Sequence, residues 1–236
     1  MFLKKCHLTS CRELLALLVL LCFHSIDVSG AECACEIEER PDLTSKALTA
    51  RWMVHALDWG VVSTISSRLG GEDEGSPAVP FGNVYSFVDG SCDKATGVPY
   101  LYGTYMDQSF SDTKSNAMVS LTLSESSLSS VCPNGDIDSC MLNTEFGDPE
   151  NPMCARLTIT GKLVALDDDS EEYKFAKNAF FERHPSMKNW PNGHGWVIAK
   201  IDIEDIWLID FFGGATILDP KDYFAARSDG DYAADE

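Results

Sequence analysis

Positive charge is scarce in this chain of 236 residues, which has 18 lysines and arginines against 37 aspartates and glutamates. The formal net charge of −19 at pH 7 repels the phosphates of nucleic acids and the headgroups of anionic membranes. The composition therefore excludes nucleic acid as an expected partner. It is typical of a soluble secreted or endolysosomal protein, because mild acidity in such a compartment protonates part of the carboxylates and so reduces the repulsion among them.

Catalytic signatures are also lacking. The sequence has no Gly-rich phosphate loop, no GxSxG nucleophile elbow, no HExxH pair and no Walker-type lysine. Of its five histidines, we interpret His55, His184 and His194 as structural residues with satisfied hydrogen bonds. The acidic run at 167–172 is interpreted as the solvated start of a helix rather than as a general acid and base. No motif predicts an enzyme, and a non-enzymatic role is favoured.

Long hydrophobic runs are absent as well. The apolar run Leu14–Phe23 falls short of the roughly 20 residues that span a bilayer. Lys4 and Lys5 precede this run, and small residues follow it, which predicts a secretory signal peptide at 1–30. We expect cleavage near Gly30–Ala31, no stable membrane anchor, and delivery outside the cell or to the endolysosomal lumen. An uncleaved short anchor is the alternative.

Cysteine is present in a number that suits an oxidising compartment. Removal of the signal peptide leaves an even set: Cys33, Cys35, Cys92, Cys132, Cys140 and Cys154. Disulfides are the default for such a set, although spacing cannot choose among the possible connectivities. Zinc is the competing interpretation, but paired CxxC units are missing, so we expect no metal.

The stretch from 184 to 218 indicates the architecture. Val197, Ile201 and Ile203 belong to an alternation of period two, which predicts a long antiparallel strand. The apolar positions resume out of phase at Ile206, so we expect a bulge at Glu204–Asp205 that bends the strand. Bent strands close barrels, and Gly213-Gly214 offers a permissive corner.

Similar patterns predict the other elements. Five further strands are expected at 61–66, 81–89, 98–105, 117–123 and 155–166. The second and third strands are expected to form a hairpin, joined by an insert at 90–97. A helix over 45–57 should end by Gly60 and bury Ala47, Leu48, Trp52 and Ala56, and a second should begin at Ser170 and end before Pro185. A short helix is expected within 107–116. The result is an α+β chain with about six strands in a mainly antiparallel barrel with flanking helices.

Five segments in order carry a more specific resemblance: HALDWGVVSTIS (55–66), GVPYLY (97–102), DPENPMCARLTITGKL (148–163), HPSMKNWP (184–191) and AKIDIEDIWLIDFFGG (199–214). Together they resemble the CREG family, the cellular repressors of viral early-gene-stimulated transcription. The likeness covers 48–224, which leaves an irregular lead-in at 31–47 and an acidic disordered tail at 225–236.

The resemblance implies an FMN-binding split-barrel fold related to pyridoxamine-phosphate oxidases. It also implies a homodimer and a secreted or endolysosomal protein that acts by binding partners after losing flavin binding, although the sequence names no receptor. Aromatic residues are expected to contribute to the dimer interface: Tyr100, Tyr102, Tyr105, Trp190, Trp196 and Trp207. Family members carry N-glycans, but no N-x-[ST] sequon follows residue 30 here, so we expect no N-linked sugar.

The resemblance also implies a disulfide between Cys140 and Cys154, with Cys132–Cys154 as the second choice. The remaining cysteines, including Cys33 and Cys35, would then pair the lead-in with the loops around Cys92 and Cys132.

The competing hypothesis is an FMN-dependent oxidoreductase with the same fold. Thr104, Ser109 and Lys114 are the only plausible contacts for the flavin phosphate in the third strand and the segment after it. Asp107 and Asp112 oppose the one cation among them, and the nearby Arg68 stands beside an acidic loop. A dianionic phosphate needs several cations or an aimed helix N-terminus. We therefore expect no cofactor.

Overall fold

The computed structural model describes residues 35–69, 77–128, 139–142, 144–145 and 147–226. The predicted signal peptide, Cys33, Cys132 and the end of the predicted tail lie outside the described residues. These residues form seven strands: β1 (Trp59–Ile65), β2 (Pro80–Ser91), β3 (Lys94–Thr104), β4 (Met118–Ser124), β5 (Arg156–Ala165), β6 (Trp196–Ile209) and β7 (Thr216–Leu218). The same residues form four α-helices: α1 (Lys46–Ala56), α2 (Gln108–Asp112), α3 (Glu171–Arg183) and α4 (Pro220–Ala225). Within these described ranges, no helix is long and apolar enough to cross a membrane.

The strands form one antiparallel sheet in the order β3-β2-β1-β4-β5-β6-β7, and an additional pairing of β3 with β6 closes it. The first six strands therefore make a closed barrel, as predicted, and the short β7 extends the sheet beside β6. Strand β6 makes the closure possible because one edge pairs with β5 along most of the strand. On the other edge, the first part of β6 pairs with β3 and the later part pairs with β7.

The predicted irregularity in β6 is confirmed. Thr160 pairs with Asp205 but Gly161 pairs with Ile203, so Glu204 is the extra residue of a bulge. Gly161 permits the close approach, because a Cβ at that position would lie 2.0 Å from the carbonyl oxygen of Asp202. The bend lets inward-facing apolar residues resume at Ile206 after the change of phase.

The barrel interior holds the main core, which includes Val62, Leu121, Ile159 and Ile206, each at most 1% exposed. Helix α1 packs into this core through one of its faces. A second cluster lies under α3, where Ala176, Ala179 and Phe180 contact Val88, Tyr100 and Ile198. Helix α3 begins as predicted, with the backbone N–H of Tyr173 donating to Ser170 Oγ at 3.1 Å.

The predicted buried face of α1 is mostly wrong. Ala50, Met53 and Val54 are fully buried, whereas Ala47, Leu48 and Trp52 are only partly buried. The reason is the lead-in, which covers the side of the helix that carries Trp52; the Trp52 indole donates to the Glu38 carbonyl at 2.9 Å. The periodic spacing of apolar residues in a helix does not show which face packs on the barrel and which face is covered by the lead-in.

Two predicted boundaries are also wrong. Gly60 does not end α1 but lies within β1, where a Cβ would meet Leu123 Cδ2 at 2.5 Å. The expected insert between β2 and β3 is a tight hairpin, because pairing continues to Ser91 and Lys94. The turn signals in the sequence therefore made the predicted strands shorter than the observed β1, β2 and β3.

Candidate interface and predicted flavin contacts

One row of outward-facing side chains crosses the sheet from β2 to β7. Each member is paired with the next across neighbouring strands: Val84, Val61, Thr122, Thr158, Trp207 and Ile217. We call this set the outer row. It contains no charged residue, and its two ends are apolar and open, since Val84 is 62% exposed and Ile217 is 63% exposed.

Hydroxyl groups lie beside the outer row, in a second row that ends at the exposed Asp205, the partner of Thr160. Ser63 pairs with Ser120, and Ser120 pairs with Thr160; with the outer row, these three residues form what we call the outer face. Ser120 Oγ and Thr160 Oγ1 lie 2.8 Å apart, and Thr122 Oγ1 and Thr158 Oγ1 lie 3.2 Å apart. Because these hydroxyls already bond one another across strands, burying them against another surface leaves few polar groups unsatisfied.

The aromatic residues expected at an interface occupy several different environments. Trp207 lies in the outer row. Tyr100 is 3% exposed and its hydroxyl donates to Glu172 at 3.1 Å, so it is committed to the interior under α3. Tyr102 stacks with Trp190 and Trp196 at centroid distances of 5.8 and 5.1 Å. Contacts within the chain therefore account for part of the aromatic excess.

The three candidate flavin-phosphate residues already contact groups of the chain itself. Thr104 ends β3 and its hydroxyl donates to the carbonyl of His194. Ser109 is 2% exposed, and its backbone N–H donates to Asp107 at 2.8 Å. The ammonium of Lys114 lies 4.7 Å from the centre of the Tyr105 ring.

Asp107 occupies the centre of a small donor set at the start of α2. Its carboxylate accepts hydrogen bonds from Ser109 N–H, from Asn83 Nδ2 at 3.2 Å and from the Tyr85 hydroxyl. Burial and the neighbouring Asp107 raise the pKa of Tyr85, so the tyrosine stays a donor. The carboxylate thus occupies donors that an anionic ligand would need.

Asp112 does the same on the other side of α2. It is 0% exposed and accepts from Thr64 Oγ1 at 2.7 Å, Ser67 N–H at 2.8 Å and Gln108 Nε2 at 2.6 Å. Burial alone raises the pKa of Asp112, but the hydrogen bonds from Ser67, Thr64 and Gln108 outweigh it, and the pKa is lowered. This segment therefore holds an ionised carboxylate, and its residues do not fit the phosphate of FMN.

A buried charge network, which sequence analysis missed, joins α1, β2 and α3. Asp89 is 0% exposed and lies 2.8 Å from His55 Nδ1 and 3.5 Å from Arg183 Nη1. Burial alone lowers the pKa of His55, but the hydrogen bond and charge of Asp89 outweigh it, and the pKa is raised. Burial lowers the pKa of His184. Both histidines have structural hydrogen bonds, as predicted.

Among the cysteines that the structure describes, two disulfides tie the loops and the lead-in to the barrel. Cys140 bonds to Cys154, the first of the two partners expected for Cys154, and Cys35 bonds to Cys92. The second bond attaches the lead-in to the β2–β3 hairpin. Among the residues described, no group of three or more histidine, cysteine or acidic side chains is arranged to hold a metal ion.

Comparisons with known proteins agree with this architecture. The family model described as "CREG, beta-barrel" matches residues 41–225. Human Protein CREG2 is 38% identical over 181 residues, covering 77% of this chain and 56% of the relative. Chicken Protein CREG1 is 35% identical over 189 residues, covering 79% of this chain and 89% of the relative. The match thus spans little more than half of human CREG2 but most of the chicken protein.

Solved structures show the same fold at low sequence identity. A heme binding protein from Mycobacterium smegmatis aligns with a TM-score of 0.56 and 14% identity, over 81% of this chain and 63% of that one. Campylobacter jejuni ChuZ aligns with a TM-score of 0.51 and 11% identity, over 93% of this chain and 71% of that one. At such identities the likeness extends to the fold and not to the ligand.

Proposed function

The chain belongs to the CREG family, and from this premise we propose that it is a non-enzymatic binding protein whose working unit is a homodimer joined through the outer face. We propose the lumen of the secretory and endolysosomal route, or the extracellular space, as its location. The two disulfides favour such an oxidising compartment.

The outer face is the observation that carries the dimer proposal. Two copies of a chain with net charge −19 repel each other, and that repulsion is smallest where their contacting surfaces carry no charge. The core of a protein interface is depleted of charged residues and enriched in aromatic ones, and the outer row has this composition, with Trp207 among its members. A twofold dimer needs a surface that can contact its own copy, and an uncharged row of five β-branched residues and one tryptophan is compatible with such a contact.

A matched pair of substitutions tests the proposal. Val84→Lys places an ammonium on the outer row, whereas Val164→Lys places one on β5 at a residue that is 40% exposed and lies outside the row. Because a twofold interface contains each substitution twice, we expect Val84→Lys to raise the dimer dissociation constant by about a hundredfold, or roughly 1.4 kcal/mol per copy. Light scattering after gel filtration should show a dimer for Val164→Lys and a monomer for Val84→Lys. Two dimers of equal affinity would contradict the proposed interface.

The absence of flavin chemistry is the second part of the proposal. It rests on the donor sets around Asp107 and Asp112, which are occupied by the chain's own carboxylates. A flavin phosphate at this position would face two negative charges and donors that are already engaged. The oxidoreductase hypothesis would need these groups to be rearranged before any ligand could bind.

A further inference from the structure

A cavity of about 840 Å³ lies on a different part of the molecule, between α1, the β2–β3 hairpin and the lead-in. We call residues 36–41 the strap, because they cross α1 and are fixed at both ends and in the middle. The Cys35–Cys92 disulfide holds one end, and Arg40 Nη1 donates to Glu125 Oε2 at 2.9 Å at the other. The Trp52 indole holds the middle through the carbonyl of Glu38. The cavity therefore has fixed walls.

The lining separates into an apolar wall and an acidic rim. The wall is formed by Ile37, Pro41, Leu48, Trp52, Ala56 and Ala95. The rim carries four carboxylates, from Glu36, Glu38, Glu39 and Asp93, and the three glutamates are exposed. A ligand that enters meets a negative opening and then an apolar interior.

Two basic residues also line the cavity, and both have anionic or polar contacts within the chain. Arg51 is 7% exposed, and its guanidinium donates to the Ala95 carbonyl at 3.2 Å and lies 5.5 Å from the centre of the Tyr223 ring. His55 contacts Asp89 Oδ1 through Nδ1 and the Cys92 carbonyl through Nε2 at 3.2 Å. His55 therefore has an acceptor at each ring nitrogen, and Asp89 lies beside it and beside Arg183. The four rim carboxylates outnumber the two basic residues of the lining, so the acidic side chains dominate its formal charge.

We propose that this cavity binds a small organic cation, namely an amine with an aliphatic or aromatic body. The volume lies within the roughly 300–1,000 Å³ that is typical of small-molecule sites. The body of such a ligand would lie on the apolar wall, and its ammonium would lie near the Trp52 ring, which attracts cations through its π face. The rim carboxylates would attract the same charge and repel anions such as phosphate.

The test uses dansylcadaverine as the probe and the dansyl amide of pentylamine, which has the same five-carbon chain, as its neutral match. The two share an aromatic body and differ in the ammonium group. We expect saturable binding of one dansylcadaverine per chain at micromolar concentration, with the neutral compound about tenfold weaker. Added salt should weaken binding of the amine only. Equal affinity for the two compounds, or no saturable binding, would overturn the proposal.

Variants then assign the binding to this cavity. Trp52→Leu, and separately the pair Glu38→Gln and Asp93→Asn, should each weaken dansylcadaverine binding about tenfold. The matched control is the pair Glu204→Gln and Asp202→Asn, which removes the same charge from two exposed acids of β6 that do not line the cavity. It should leave binding unchanged. Near-ultraviolet circular dichroism would verify that each variant is folded. If the control weakens binding as much as the cavity variants, or if a lysine-rich peptide binds more tightly than the amine, the assignment is wrong.

Discussion

Replacing Asp89 by asparagine perturbs the buried network that links α1, β2 and α3. The carboxylate of Asp89 contacts His55 and Arg183, and Asp89 Oδ2 accepts from the backbone N–H of Gly97 at 3.1 Å. Asparagine has the same shape, but it has no charge and directs an NH₂ group towards one of these donors. Arg183, which is 5% exposed, would lose its buried counter-charge.

The structure sets the expected magnitude. Breaking a buried ion pair by removing one partner costs about 3–5 kcal/mol. We expect a value of about 3 kcal/mol, because the Arg183–Asp89 distance of 3.5 Å is long and Arg183 Nη2 keeps its hydrogen bonds to the carbonyls of His55 and Leu57 at 2.7 and 3.1 Å. That is a large part of a typical total of ~5–15 kcal/mol. It corresponds to a fall in Tm of roughly 6–12 °C for a domain of this size.

The pH dependence gives a second readout. Because the folded-state pKa of His55 is raised, its contribution to stability is complete below about pH 6.5 and is lost as the pH rises through the higher folded-state pKa. Asp89→Asn removes the charge that stabilises the imidazolium, so the variant should lose more stability in acid than in base. Burial lowers the pKa of His184, so the effect of His184 on the pH dependence of stability is opposite to that of His55. His184 is present in both proteins, so its effect cancels when the two free energies of unfolding are subtracted.

Urea unfolding without reductant, at about pH 5.5 and about pH 8, measures both effects. The control is Asp202→Asn, an exposed residue of β6, which should change the free energy of unfolding by less than about 0.5 kcal/mol. A loss of less than about 1 kcal/mol for Asp89→Asn, or an equal loss at the two pH values, would refute the reasoning.

Three further predictions follow from single features of the molecule. Cys154→Ser should lower the free energy of unfolding by about 3 kcal/mol, because the Cys140–Cys154 bond closes a loop with a sequence separation of 14; an unchanged urea midpoint would contradict this. Gly161→Ala should cost about 1–3 kcal/mol in the same assay, since the new Cβ would lie 2.0 Å from the Asp202 carbonyl oxygen; Gly82→Ala in β2, whose new Cβ would lie 3.4 Å from Val61 Cγ1, is the matched control and should cost less. Titration of FMN should give no saturable quenching of flavin fluorescence at low micromolar concentration, and saturation in that range would restore the oxidoreductase hypothesis.

The sequence predicted those parts of the fold that depend on local patterns. The change of phase around Glu204 located the bulge because a one-residue insertion moves every later side chain to the other face. Ser170 located the start of α3 because its side chain can satisfy a free N–H there. The same reasoning failed for α1, whose two sides both face protein.

The candidate sites were harder to predict because they combine distant segments. His55, Asp89 and Arg183 meet across separations of 34 and 94 residues, and no local spacing indicates such a network. The outer face left a signal that could have been used: in β4, Ser120 and Thr122 alternate with the buried Val119, Leu121 and Leu123. An outward row of hydroxyl groups, in a chain so rich in acids, is itself an unusual feature.

Sedimentation equilibrium of the unmodified protein tests self-association through the outer face most directly. At micromolar concentration and about 0.15 M salt, where charge repulsion is screened beyond roughly 8 Å, the measured mass should be twice the mass of one chain in the same sample. It should fall towards the monomer value only on dilution. A single monomer mass throughout the micromolar range would contradict the account.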